Sequence, residues 1–195
     1  MGNDQTISRV ISIIARHDVV LGVIPLGAPS QIARILGIPQ GVKACDTLSA
    51  RIIEKIDLGK INGHYFFSAV EIPAAEVKLE CDGCYQVELK ESSDICISNI
   101  GNFLGFSGRG IISNPRDGFL EASVCPTHKR NFFLSSFYKK EFKKDSFFPI
   151  KKVKIVSEKE EVQLIADGQE KIKTPATVEI VPKKLKVVVG RQRTF

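Results

Sequence analysis

Apolar residues recur at Ile7, Val10, Ile11 and Ile14, three or four positions apart, so a helix here carries one apolar face. Thr6 or Asp4 is placed to cap its start. The next apolar positions follow another rule. Val19 to Ile24 is a near-continuous run of the kind found in parallel strands buried on both faces. Pro25 to Ser30 reads as a turn, and Ser30 can cap a short helix that runs through Leu36 and stops at Gly37. After the loop Pro39-Gln40-Gly41 the pattern predicts a further helix from about Val42 to Ala50. Helix, strand and helix in succession predict an α/β beginning.

Beyond Arg51 the pattern becomes short runs separated by turns. Ile52–Ile61 and His64–Val70 flank Asn62-Gly63, and Val77–Cys81 and Tyr85–Leu89 flank Asp82-Gly83. Both dipeptides suit a hairpin turn with positive φ at its two central residues. Further strands are expected at 94–100, 119–125, 150–156, 162–166, 177–181 and 185–189, with one helix at 127–144. Many short strands with closely spaced turns predict an antiparallel sandwich or barrel. No internal repeat or low-complexity linker interrupts the chain.

Composition narrows the class. A chain of 195 residues with 43% hydrophobic and 26% charged residues is globular, which excludes disordered and fibrous proteins. It holds no apolar run of the ~18 residues that a spanning helix needs, and no signal-peptide pattern, so a cytoplasmic location is expected. Five cysteines, an odd number, suit a reducing compartment. Cys81 and Cys84 form a CxxC, yet no second pair or spaced histidines complete a zinc site, and Asp82-Gly83 makes a hairpin turn the simpler reading. His17, His64 and His128 lack metal spacing, so no metal-ligating set is expected.

The net charge of +6 points to anionic partners: phosphates, acidic lipid headgroups or nucleic acid. It gathers at Lys139, Lys140, Lys143, Lys144, Lys151, Lys152 and Lys154, and again at Lys183, Lys184, Lys186, Arg191 and Arg193. The ordinary reading of such runs is a solvated face. Phe142, Phe147 and Phe148 interleave the first run, which suits an acidic membrane surface or a helix packing its rings on the sandwich. Only charge supports nucleic acid, so none is expected as a partner.

Four stretches in order carry a resemblance. IPLG, a capped helix and then ARILGIP through Pro39 are similar to PLGTxND-x-AR-x-LGIP; Ile56 to Phe67, IDLGKINGHYFF, is similar to a first-hairpin consensus. Asp117-Gly118-Phe119-Leu120-Glu121 resembles DGxLD, and Asp167-Gly168-Gln169, Thr174-Pro175 and Ile180–Leu185 resemble DGE…TP…xxPxxLxV. The chain thus resembles the diacylglycerol kinase and bacterial lipid kinase family, related to sphingosine kinases and NAD kinases. The resemblance implies an α+β fold of two domains. Residues 1–50 with 183–195 would form a partial α/β nucleotide-binding lobe, and 51–182 an antiparallel β-sandwich on the lipid side, the chain end returning to the first lobe.

It also implies a site. ATP phosphates are expected on a GGDGT loop, here Gly2-Asn3-Asp4-Gln5-Thr6, with Gly27 and Ser30 of the following turn as further contacts. Asparagine tolerates the positive φ of a replaced glycine in part, glutamine poorly. The TxND contact appears as Ala28-Pro29-Ser30-Gln31, without the carboxylate that Mg²⁺ would use. Asp167 takes the place of the family's general base, and Gln169 stands for the glutamate beside it; Asp167-Gly168 also reads as a plain tight turn. Asp4 and Asp167 are expected to face each other across a cleft between the lobes.

By the same resemblance, βα units before the loop and a helical insertion between Val70 and Val77 are missing. The apolar face of the 7–14 helix and a strand edge would then be open, predicting a homo-oligomer. The expected function is ATP- and Mg²⁺-dependent phosphorylation of a lipid hydroxyl, reduced or lost. The alternative is a non-catalytic pseudokinase or a lipid-binding module, peripheral on the inner face of the membrane.

Overall fold

The computed structural model describes residues 1–89, 93–100, 114–126 and 146–195. The expected helix at 127–144, with His128, Phe142 and Lys139 to Lys144, lies outside the described residues.

The chain opens with helix α1 (Asp4–Ile14), strand β1 (Val20–Leu21) and helices α2 (Gln31–Ile35) and α3 (Lys43–Ala50). Strands follow: β2 (Ile53–Ile61), β3 (His64–Phe66), β4 (Ala69–Ala75), β5 (Lys78–Cys81), β6 (Tyr85–Glu88) and β7 (Ser93–Ser98). The rest are β8 (Leu120–Pro126), β9 (Ser146–Ile150), β10 (Lys152–Val156), β11 (Gln163–Ala166), β12 (Glu170–Lys173) and β13 (Ala176–Val188). Among the described residues they form two sheets. One runs β3-β2-β13-β10-β5-β6, with β1 parallel to β13; the other runs β12-β11-β4-β7-β8-β9, antiparallel throughout.

The expected hairpins form where the turn residues permit. Asn62 and Gly63 take φ of 44° and 91° between the paired Ile61 and His64. Asp82 and Gly83 take 50° and 68°, and the Cys84 N–H donates to the Cys81 carbonyl at 3.0 Å. The CxxC is therefore a turn, and among the described residues no three His, Cys, Asp or Glu gather to hold a metal. Gly59 faces Phe66 across β2 and β3; a Cβ there would lie 1.9 Å from the ring, so only glycine lets Phe66 lie down on the strand and become buried.

Two runs that read as single strands each break between the sheets. His64–Val70 divides at Phe67-Ser68 into β3 and β4, and 150–156 divides at Lys151 into β9 and β10. Conversely, 177–181 and 185–189 join as β13, whose register shifts between Val181 and Leu185 with Lys183 at φ 53°. Pro182 falls in that irregularity, where a missing N–H costs no ladder bond. The Asp57 carboxylate holds the bulge, accepting from the Lys183 N–H at 2.6 Å and the Gly118 N–H at 2.9 Å. β12 had no sequence signal because its residues are mostly polar and exposed at a sheet edge.

Two cores result. Phe66, Ile72, Leu79, Ile95, Leu120 and Val178 belong to the core between the sheets. Ile7, Ile11, Val23, Ile32, Leu36 and Val187 belong to the core under the helices. β2 and β13 enter both: Ile61 and Val178 serve the first, Ile56, Leu58 and Leu185 the second. The chain end returns to the helices, with the Val189 N–H on the Ile52 carbonyl at 2.8 Å and the Gly190 N–H on that of Leu36 at 2.8 Å. The fold is α+β, a partial α/β end joined to an antiparallel β-sandwich, as expected.

The α/β end departs from expectation in detail. Within 19–24 only Val20 and Leu21 form a ladder, and Val19 and Val20 remain 44% and 45% exposed; the run is covered at Val23 but not on both faces along its length. On α1, Ile7 and Ile11 are buried rather than open, leaving Val10 and Ile13 outside, Ile13 at 65%. The described end of the first basic run is paired and packed. Lys154 lies 3.5 Å from Glu80 and Lys152 3.9 Å from Glu179, while Phe148 packs on the sandwich core with Tyr85 edge-on at 6.4 Å.

Candidate functional site

The stretch expected to cradle phosphate is the capped start of α1. Gly2 bridges Pro25, its N–H donating to the Ile24 carbonyl at 3.2 Å, which ties the chain to the strand region before the helix begins. Asn3, not Thr6 or Asp4, is the N-cap: its Oδ1 accepts from the Thr6 N–H at 3.1 Å and its φ is −85°. No left-handed backbone is needed, so the replaced glycines leave no strain here, and Gln5 sits inside the helix. The Asp4 N–H donates to the Pro29 carbonyl at 3.1 Å.

The Asp4 side chain reaches across to α2. Its carboxylate accepts from the Gln31 N–H at 2.8 Å and the Ile32 N–H at 3.0 Å, and the residue is 3% exposed. Asp4 thus caps α2 from outside the helix. Ser30, expected to do so, makes no capping bond; its hydroxyl accepts from Gln40 Nε2 at 2.9 Å. A carboxylate outcompetes a hydroxyl because its bonds to amides are charge-assisted and its charge opposes the positive end of the helix.

One helical turn after Asp4, Ser8 reaches the second carboxylate. The turn between β11 and β12 holds Asp167 at φ 49° and Gly168 at 67° against α1. Asp167 Oδ2 accepts from the Phe67 N–H at 2.9 Å, and Oδ1 from Ser68 at 2.8 Å and Ala69 at 3.3 Å. These three consecutive amides mark the place where the chain leaves one sheet for the other. Ser8 lies beside the carboxylate as well. Burial pushes the Asp167 carboxyl above the usual carboxylate range, outweighing the opposite pull of those donors. Gln169 is no passive substitute: its Nε2 donates to the Gln5 carbonyl at 3.1 Å, and its Oε1 accepts from Arg9 Nε at 2.8 Å.

α1 therefore brings Asp4 and Asp167 to one helix, Asp4 on it and Asp167 through Ser8. The space beside Asp167 is about 20 Å³, bounded by Ser8, Arg9, Ser12, Tyr65 and Gln169. The large cleft lies elsewhere, between α2, α3 and the chain end, with a volume of about 850 Å³. Of the expected contacts, Ser30 lines it; Gly2 to Thr6, Gly27 and Asp167 do not. Sequence reasoning missed Ser8, Arg9, Asp57 and Asn99. Ser8 had one signal, a polar residue four positions from Asp4 on the helix side that carries Ile7 and Ile11. Asn99 had none: its Nδ2 donates to the Asp57 and Phe67 carbonyls, both at 2.9 Å and both remote in sequence.

Residues 1–61 match the family model described as the diacylglycerol kinase catalytic domain. A diacylglycerol kinase of Bacillus subtilis (strain 168) is 42% identical over 71 residues, 34% of this chain and 23% of that protein. The chain is a relative of the diacylglycerol kinases. The fold agrees: a solved diacylglycerol kinase of Bacillus anthracis superposes with a TM-score of 0.77 at 18% identity, over 98% of this chain and 75% of that one. Yeast NADH kinase superposes with a TM-score of 0.56 at 13% identity, over 100% of this chain and 62% of that one.

In this diacylglycerol kinase relative, Gly2 to Thr6, Gly27 and Ser30 fall inside the matched stretch, and Asp167 falls outside it. The chemistry of the donors tests whether the family's cofactors suit them. Mg²⁺ takes carboxylate oxygens with lone pairs turned toward it. Here the oxygens of Asp4 and Asp167 accept two and three backbone N–H groups. A phosphate at a helix start needs free amides. Here those of Asp4, Thr6, Gln31 and Ile32 are taken. As arranged, these residues could hold Mg²⁺ or the phosphates of ATP only by giving up several of these bonds.

Proposed function

We propose that this protein keeps the frame of an ATP-dependent lipid kinase of the diacylglycerol type and that its phosphoryl transfer is reduced or lost. The observation that carries the reading is that both acidic side chains of the candidate site serve backbone amides. A general base works with a lone pair turned to the proton it takes. The Asp167 carboxylate instead fastens the crossover at 67–69. In the proposed division, residues 1–50 with 183–195 form the nucleotide-side lobe and 51–182 the lipid-side lobe. Gly2 to Thr6, Gly27 and Ser30 are its proposed nucleotide contacts, ATP with Mg²⁺ its proposed donor, and a diacylglycerol-like hydroxyl its acceptor. We also place a second copy over the exposed Val10 and Ile13 of α1; a monomer in light scattering removes that part.

Transfer of labelled phosphate from ATP to dioctanoylglycerol tests the main claim. The wild-type rate is expected within a few-fold of Asp167→Asn. A wild-type rate on the order of 100-fold above that variant, the range a working general base supplies, restores the catalytic reading.

A further inference from the structure

The large cleft shares only Ser30 with that proposed chemistry. It opens where β13 ends, at the carboxyl edge of the parallel pair β1–β13, the edge at which ligands of α/β sheets collect. Its volume of about 850 Å³ is that of a small-molecule site. Ile38, Pro39, Ala50, Ile52 and Val189 give it aliphatic walls, with Gln31, Gln40, Thr47 and Gln192 among its polar lining, and among the described residues no aromatic ring lines it. Such walls suit an acyl chain better than a nucleobase, which favours ring stacking.

Its charges are unbalanced. Arg34 and Arg191 line the cleft, are exposed, and their guanidinium groups make no hydrogen bond or ion pair with a described residue. By contrast Arg9 is held by Gln169, and Arg116 and Arg193 by Glu54. Asp46 also lines the cleft, leaving one positive charge in excess. The wall that carries Arg191 is fixed. Gly190 presses on the turn at Gly37, where a Cβ would lie 1.8 Å from the Gly37 carbonyl oxygen, so only glycine allows the contact. On the far side the Thr194 N–H donates to the Ile35 carbonyl at 3.1 Å, and Arg193 meets Glu54 at 2.8 Å. Arg191 is thus delivered to the cleft by a tail anchored before and after it.

We propose that the cleft between α2, α3 and the chain end binds a single-chain amphiphile with a phosphate monoester head, the chain lying on the aliphatic walls and the phosphate on Arg34 and Arg191. The site is separate from Asp167, and the proposal does not depend on catalysis.

Calorimetric titration of the full chain with octanoyl lysophosphatidate tests it, with inorganic phosphate, octanoylglycerol and ATP titrated in parallel. Saturable binding of one lysophosphatidate per chain is expected, with phosphate alone and neutral octanoylglycerol each much weaker. Arg34→Gln and Arg191→Gln should each weaken it about tenfold or more, the worth of a charge-assisted bond, while leaving the urea midpoint in place. Asp167→Asn should leave binding unchanged. Absence of binding, equal binding of octanoylglycerol, tighter binding of ATP, or affinity that survives both arginine substitutions overturns the proposal.

Discussion

The sandwich core and the helical core share β2 and β13, yet they are closed by different means. Around the sandwich, neighbours in sequence are neighbours in space: β2 with β3, β5 with β6 and β11 with β12 are hairpins with positive-φ residues at their turns. Around the helices, closure depends on single polar side chains that reach far along the chain. Asp4 caps α2 27 and 28 residues away, and Asp167 holds the crossover about 100 residues away. The lesson is that an aspartate in a kinase-like motif can be a fastener. A hairpin spreads its stability over a ladder, whereas a carboxylate fastener concentrates it in one residue.

The comparison breaks most readily at Asp167. Asp167→Ala leaves three amides without their acceptor, and a loss of about 3 kcal/mol is expected by urea unfolding. A loss under about 1 kcal/mol would show that the crossover stands unaided. The pH dependence sharpens this. Because burial raises the Asp167 pKa, the folded state holds that proton more tightly than the unfolded chain does. The resulting contribution is full below about pH 4 and is lost as the pH rises through the raised folded value. The difference between wild type and Asp167→Ala should therefore narrow on going from acid to neutral pH. A difference that widens instead means that the amide donors outweigh burial.

The sandwich side is probed by Gly59→Ala, whose new Cβ meets the Phe66 ring. An overpacking cost of about 2 kcal/mol is expected from the urea midpoint, with hydrogen exchange in α1 and α2 changed little. Equal loosening of the helices would mean that the shared strands couple the two cores fully. The smallest effect is expected from Asp4→Ala, which removes a cap worth about 1 kcal/mol. Its mark is local, with faster exchange at Gln31 and Ile32. An unchanged exchange rate at those two amides would remove Asp4 as the cap of α2.

How much was legible follows the same division. Asn62-Gly63 and Asp82-Gly83 announced their hairpins because turn conformation is set by the residues in the turn. The period of Ile7, Val10, Ile11 and Ile14 announced α1, and motif order announced the family and the α+β class. The roles of Asp4, Ser30 and Asn3 were not legible. Each can cap a helix, and which one does depends on where α1 and α2 come to lie. The breaks at Phe67-Ser68 and Lys151 were hidden for a related reason: a strand that changes sheet keeps its alternating pattern, and only the second sheet shows that it has moved.

The sequence by itself determined the kinds of element, the turns between adjacent strands, the kinase-like motifs and the charge. Tertiary structure alone decided which polar groups meet. It gave the Asp167 carboxylate to the amides at 67–69 and the Asp4 carboxylate to α2, and it left Arg34 and Arg191 facing an aliphatic cleft. Local conformation depends on nearby residues, which a sequence lists in order. A hydrogen bond depends on distance and direction between groups that the chain may bring together from any separation.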